Sequence, residues 1–360
     1  YFVANRTIGL FEQGDAQSTI GDFIRMRAWV LAHLMWDPTR DEKALFADFL
    51  EGYYGAAAPH LQQYLDVIHD AGEQSGAYLR CFMPDTSAYL SLDDLNRATR
   101  LFGKAEEAVA GDPVLARRVR RERMPLDHVW LRRYYALRRA ARADKKEFLG
   151  PDDPVAACDE FIRLAHEFKV GNYRERHPFS EYEAGLRARF RPVGPPPEAC
   201  RGLPEDDWLD LQDNQFRLAR VGQWAETVDD PKASDKKAAR MPGDHYEWAV
   251  SCPLSNDLAY GNPWRVFVVT RVEATADDGL AMTMGIYDSK TRKGVSHLRV
   301  PVEDISDGQY ETFDLGAHDL HGGMYVWVAP PKRPSEVQAV LVDRIYLIRE
   351  EATKPTDRKP

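Results

Sequence analysis

Glu12 is followed at once by Gln13 and then by Asp15, where the apolar run Ile8-Gly9-Leu10-Phe11 gives way to polar residues. A carboxylate at the end of a buried parallel strand is well placed for acid–base work. General acid–base chemistry commonly takes two such carboxyls, one to give a proton and one to act as base or nucleophile. Glu12 is a candidate for one of the pair, with Gln13 and Asp15 as contacts to the same substrate. The plainer alternatives are that Glu12 hydrogen-bonds a sugar hydroxyl or caps the following helix. Tyr53 and Tyr54 are candidates to line a cleft, although a tyrosine ending a buried helical stripe more often packs.

Five tryptophans, Trp208, Trp224, Trp248, Trp264 and Trp327, fall in the second half of the chain. An indole face suits the apolar C–H face of a pyranose, so these include candidates for stacking on oligo- or polysaccharide, Trp248 and Trp264 foremost; the others are expected in a core. Asp229, Asp230, Asp235 and Asp343 supply hard oxygen ligands that suit a structural Ca²⁺ if the first and last strands of that half are neighbours, although no twelve-residue calcium loop is present. His318 and His321 have no partner motif for zinc. No cofactor is implied: there is no P-loop, dinucleotide fingerprint or nucleophile elbow.

The elements that would carry these residues differ between the halves. Phe23, Met26, Val30 and Leu34 recur at helical spacing, and Ile24, Leu31 and Met35 widen the stripe, which predicts a mostly buried helix from Ile20 to Trp36. Trp36-Asp37-Pro38 reads as a core indole, a turn acceptor and a stop. Thr39 to Glu42 reads as a capping box for a second helix burying Leu45, Phe46, Phe49 and Tyr53, closed by Gly55. Pro59 opens a third, with Gly72 past its end. Ser91, Asp112-Pro113, Asp153-Pro154 and Pro178 open further helices, and Pro125 is expected to kink or break the one that runs to about Asp144.

Beyond Pro195-Pro196-Pro197 the period becomes alternating, with strands predicted at Arg265 to Val272, Ala281 to Tyr287, Ser296 to Val302, Gln309 to Leu315, Met324 to Val328 and Val337 to Ile348. Many short strands without intervening helices predict an antiparallel β-sandwich of jelly-roll or galactose-binding type. The expected organisation is a strand remnant at 1–18, a helical domain at 19–192, a Pro-rich linker at 193–204, the sandwich at 205–350 and a disordered tail at 351–360.

With 57 acidic against 48 basic residues the formal charge is −9, which argues against nucleic acid and anionic lipid as partners. Between Asp112 and Arg142, however, ten arginines face only three acidic residues. Without an accompanying aromatic motif, a solvated face paired with acidic neighbours is the preferred reading over nucleic acid. No apolar run is long enough to span a bilayer. Cys81, Cys158, Cys200 and Cys252 lie far apart and are read as free thiols.

The segment Gly9-Leu10-Phe11-Glu12-Gln13-Gly14-Asp15, then Phe23 to Trp36-Asp37-Pro38, then Phe49-Leu50-Glu51-Gly52-Tyr53-Tyr54-Gly55, resembles the bacterial domain-of-unknown-function family 4838 of glycosidase-like proteins. The helix-Trp-Asp-Pro-helix-Tyr-Gly layout is also similar to the C-terminal helical region of alpha-glucuronidases. The resemblance implies that the opening strand is the edge of a TIM barrel lying mostly upstream in the same polypeptide, that the helices buttress it, and that the protein is secreted, periplasmic or on the cell surface. The expected function is the C-terminal portion of a glycoside-hydrolase-like protein acting on complex polysaccharide, inactive as this piece alone. The alternative is a noncatalytic surface protein binding glycan or protein. A cleft in the helical region faced by Glu12 alongside a second carboxyl from upstream would favour the enzyme; an isolated exposed tryptophan platform on the sandwich, without such a cleft, would favour the latter.

Overall fold

The helices begin where a side chain can take over the unpaired amides of the first turn. In the computed structural model, which describes residues 2–12, 20–79, 86–191, 193–259, 263–305 and 308–350, α1 is Ile24–Trp36 and α2 Glu42–Tyr54. They are followed by α3, Ala58–Ser75, α4, Leu92–Ala108, and α5, Pro113–Asp144. The last two are α6, Pro154–Glu167, and α7, Phe179–Phe190. Ser91 and Asp94 form a reciprocal capping box on α4, and Asp153 accepts from the amides of Val155 and Ala156 on α6; such a cap contributes about 1 kcal/mol.

Four expectations are corrected. Asp41, not Thr39, caps α2, because the Thr39 hydroxyl is already bonded to Asp37. Gly72 lies inside α3, and the residue beyond its end is Gly76, at φ 61°, where a Cβ would be strained. Of the kink or break expected at Pro125, the break is not found: α5 is one helix from Pro113 to Asp144. Residues 2–12 form turns, a bend and irregular backbone without a strand, and Ile8, Leu10 and Phe11 are exposed: no neighbouring strand pairs with them among the described residues.

Helix α1 starts at Ile24 because Phe23 takes a left-handed conformation, φ 45°, rare for an aromatic residue. Burial of its ring and donation of its amide to Glu122 hold it there. The helix buries Met26 and Val30, but Leu31 and Met35 are exposed and Trp36 is 92% exposed, so neither the mostly buried helix nor the core indole is found.

Backbone contacts divide the chain into two units, Tyr1–Leu137 with Asp144–Arg191 and Arg138–Ala143 with Pro192–Pro360. In the first, Asn172–Arg174 (β1) and His177–Pro178 (β2) make a small hairpin before α7.

The second unit begins with β3, Trp208–Gln212, β4, Arg217–Leu218, β5, Glu226–Asp229, β6, Lys237–Pro242, and β7, Val250–Pro253. Next come β8, Trp264–Ala274, β9, Leu280–Asp288, and β10, Lys293–Pro301. The last are β11, Glu311–His318, β12, Met324–Ala329, and β13, Val337–Arg349. One sheet has the order β10-β9-β12-β7-β4 and the other β11-β8-β13-β6-β5, with β3 also on β13. All of these pairings are antiparallel.

Alternation builds the core between the sheets. Trp264, Val266, Val268 and Val272 of β8, Met282, Met284 and Ile286 of β9, and Val326 and Val328 of β12 meet there with Val340, Val342, Ile345 and Leu347 of β13. The helical region followed by an antiparallel sandwich agrees with the predicted fold class. The proline run is docked rather than free: Pro197 is buried, and the Pro195 carbonyl accepts from Arg344. Cys158, Cys200 and Cys252 are buried and unpaired, and burial raises their thiols to about 11, 12 and 12. Cys81 lies outside the described residues. Among those residues no helix is long and apolar enough to cross a membrane.

Candidate functional site

Because the inner face of β9 and β12 is filled by methionines and branched aliphatics, the residues between them are turned outward. On β12 these are Tyr325 and Trp327, and on β9 they are Thr283, Gly285 and Tyr287. Antiparallel register lines them up in rows. Tyr325 faces Tyr287; Trp327 faces Gly285, which faces His297; Ala329 faces Thr283, which faces Arg299. The Trp327 row continues in the other direction through Ser251 to Arg217.

Gly285 lets the Trp327 indole lie flat on the sheet. A Cβ there would meet that ring at 3.0 Å and the Ser296 carbonyl oxygen at 2.2 Å. Trp248, in the loop between β6 and β7, stacks on the same indole with ring centroids 4.2 Å apart and planes at 11°. His297 lies 5.7 Å from Trp327 at 26°, and Tyr287 lies 5.5 Å from Trp248. Trp327 is thereby only 4% exposed, while Trp248 is 41% exposed and Tyr246 60%. Together they line an open recess of about 460 Å³ whose ionic side chains are Arg299 and His297, with no carboxylate in the lining. Such a surface can stack a flat apolar ring on an indole and hydrogen-bond polar substituents around its edge.

The other predicted site residues fare differently. Trp264 is wholly buried, its indole nitrogen donating to the Leu258 carbonyl at 2.8 Å, so it is a core residue and not a sugar contact. Tyr54 is likewise buried, and Tyr53 is engaged by Arg118, whose guanidinium lies 4.1 Å above its ring, and by Arg25, which bonds its hydroxyl. These contacts make both tyrosines packing residues rather than the lining of a cleft. Glu12 is exposed and, among the described residues, makes no hydrogen bond or ion pair; Gln13 and Asp15 lie outside those residues.

The four aspartates do not converge. Asp230 accepts from Arg271 and Tyr310, Asp343 from the amide and hydroxyl of Ser234, and Asp235 from the amide of Lys237, while Asp229 is exposed. Among the described residues no three histidine, cysteine or carboxylate side chains form a metal-binding group.

The arginines of α5 in the first unit are largely tied down. Arg117 pairs with Glu167, Arg120 with Glu106 and Glu160, and Arg123 with Glu106 and Asp127. Below them Glu122 accepts the Phe23 amide and Asp22 the Tyr64 hydroxyl. Burial raises Asp22 to about 7, with Glu122 adding repulsion, and burial raises Glu122 as well.

Tyr246, Tyr287, Tyr325, His297 and Arg299 were not singled out from the sequence. For all but Tyr246, which lies in a loop, the signal is strand phase: Tyr325 and Trp327 alternate with Val326 and Val328, as His297 and Arg299 do with Leu298 and Val300.

Residues 1–66 match a family described as "Domain of unknown function (DUF4838)", over the stretch that carries the resemblance noted above. No curated protein matches the chain. Among solved structures, the CBM22-1 xylan-binding domain of Paenibacillus barcinonensis Xyn10C is 9% identical over 40% of this chain and 95% of that one, with a TM-score of 0.29. The CBM36-1 domain of a multidomain xylanase from the hindgut metagenome of Trinervitermes trinervoides is 8% identical, over 40% of this chain and 98% of that one, at 0.28. The Agl-KA catalytic domain is 10% identical at 0.30, over 42% of this chain and 29% of its own length.

Proposed function

We propose that the sandwich is a saccharide-binding module, which holds a sugar ring against Trp248 in the recess over the outer face of its five-stranded sheet. The observation that carries this reading is the stacked Trp248–Trp327 pair, laid on Gly285 and left open to solvent on the Trp248 side. A soluble domain gains nothing in stability from leaving a large indole exposed, whereas a pyranose face covering it removes apolar area from water at about 25 cal/mol per Å². Tyr246, Tyr287 and the Thr283 hydroxyl supply an amphipathic rim for the ring's substituents.

In a polypeptide acting on complex polysaccharide, the module would hold the chain near a catalytic domain, and the protein would work outside the cytoplasm. The family match at 1–66 supports that setting, while Glu12 as a catalytic carboxylate stays a proposal that needs a second carboxyl. The binding-module reading is favoured because the platform is present, and Glu12 has no carboxylate partner among the described residues.

The test is titration of the whole chain with a panel of polysaccharides by affinity electrophoresis and calorimetry. Binding of at least one polymer, weakened about tenfold or more by Trp248→Ala with the near-ultraviolet spectrum otherwise retained, is the expected result. Binding unchanged in that variant, or no binding to any polymer, ends the proposal.

A further inference from the structure

Arg299 is an exposed guanidinium at the edge of the aromatic recess, and it makes no hydrogen bond or ion pair among the described residues. Several other arginines of the sandwich are matched to acids: Arg271 to Asp230 and Glu273, Arg344 to Asp210, Arg265 to Asp314 and Glu350. In a chain of net charge −9, a carboxylate to pair with Arg299 would be easy to find, yet none lines the recess.

The neighbouring ionic groups have the same character. His297, two residues back on the same face of β10, touches Trp327 with its ring and has no hydrogen bond among the described residues. Lys332 lies 4.9 Å above the Tyr246 ring, and Arg217 ends the Trp327 row on β4, exposed and without an ion pair among the described residues. Asp244 and Glu247, the acidic residues nearest Trp248 in sequence, are not part of the lining. The long-range field of the protein repels anions, but at physiological salt it is screened beyond about 8 Å, so the local basic groups dominate at the recess.

We infer that the recess takes an anionic saccharide, whose carboxylate or ester sulfate is met by Arg299 while an adjoining ring stacks on Trp248. This rests on the saccharide-binding reading and narrows its ligand class. A guanidinium presents a planar fork of donors that matches the two oxygens of a carboxylate, and two oxygens of a sulfate, better than it matches a single hydroxyl. A ring stacked on Trp248 in the same recess would shield such a pair from water on one side, which strengthens it relative to a fully solvated ion pair.

The experiment uses the whole chain with polygalacturonate and alginate, each beside its carboxyl-reduced counterpart, and dextran sulfate beside dextran. The carboxylated and sulfated arms separate the two anion sources. At least one acidic polymer is expected to bind about tenfold or more tightly than its neutral counterpart at low salt, with the preference shrinking as NaCl is raised to about 0.5 M. Arg299→Gln should remove the preference and leave binding of the neutral form in place, Arg299→Lys should keep part of it, and Trp248→Ala should weaken both forms.

Equal affinity for acidic and neutral members of every pair overturns the inference and leaves the saccharide module standing. A preference that survives Arg299→Gln overturns the assignment to this residue. Failure to bind any polymer of either kind ends both proposals.

Discussion

The guanidinium-rich stretch of α5 and the recess on β10, β9 and β12 are both basic places in an acidic protein, and they have opposite fates. Along α5 the charge is conspicuous in sequence and in large part met by acids in space: Arg120 and Arg123 share Glu106, and Arg117 reaches Glu167. Around the recess the charge is sparse in sequence, Arg299 with nothing acidic in the lining, and unspent in space. A cluster of like charges on a helix is therefore a weak sign of a ligand, because neighbouring helices can supply the counter-charges. A lone cation beside an uncovered indole is a stronger one.

The sharpest way to test the contrast is to exchange the roles of two tryptophans. Trp264 fills the core with its indole nitrogen satisfied, so Trp264→Ala removes a fully packed ring and should cost about 3–5 kcal/mol, enough to lower the melting temperature of the sandwich severely. Trp248→Ala takes away a partly exposed ring and one stacking partner and should cost about 1 kcal/mol while weakening saccharide binding. Calorimetric melts of the two variants measure the difference. A melt of Trp248→Ala as depressed as that of Trp264→Ala would make Trp248 a structural residue and break the comparison.

How much of this was readable beforehand follows the length and phase of each element. The strands β8 to β13 were placed within a few residues, because runs such as Trp264–Ala274 and Leu280–Asp288 are long enough for alternation to stand out. The strands before them were missed: Arg217–Leu218 and Glu226–Asp229 are too short to show a period and are defined by the partners that hydrogen-bond them. Phase would have separated the tryptophans, since Trp264 falls in register with Val266 and Val268 whereas Trp327 falls out of register with Val326 and Val328. No local pattern reveals that Trp248 folds back over Trp327, which depends on contacts between a loop and a strand about eighty residues away. Trp36 shows the converse error, since helical periodicity marks a stripe as apolar without saying what, if anything, covers it.

A smaller effect should appear with pH beneath the paired arginines. The Asp22 carboxyl is raised to about 7 in the folded protein by burial and by Glu122, above its ordinary value of 3.8. The fold thus favours the protonated form, and its stabilising contribution, complete below about pH 4, is lost as pH rises through about 7. The protection factors of the α3 amides, which divide out the base-catalysed intrinsic rate, should therefore fall between acidic and mildly alkaline pH, since α3 packs near Asp22 through Tyr64. Asp22→Asn should flatten much of that trend, with the raised carboxyl of Glu122 retaining a remainder. A slope unchanged in this variant would mean that Asp22 ionises as freely as an exposed aspartate.

The smallest effect bears most directly on the two basic regions. Glu106 holds Arg120 and Arg123 together, with about a third of its side chain exposed, so Glu106→Gln should lower stability by about 1 kcal/mol, the scale of a partly solvated pair. Arg120 retains Glu160 and Arg123 retains Asp127, which is why the loss stays small. Saccharide affinity should not change, whereas Arg299→Gln should change affinity for an acidic polymer and leave the melt alone. If Glu106→Gln, by loosening those two guanidiniums, created affinity for acidic polymers on α5, pairing alone would be what separates the regions. If it did not, the open recess that Arg299 shares with the partly exposed Trp248 would be the necessary second element.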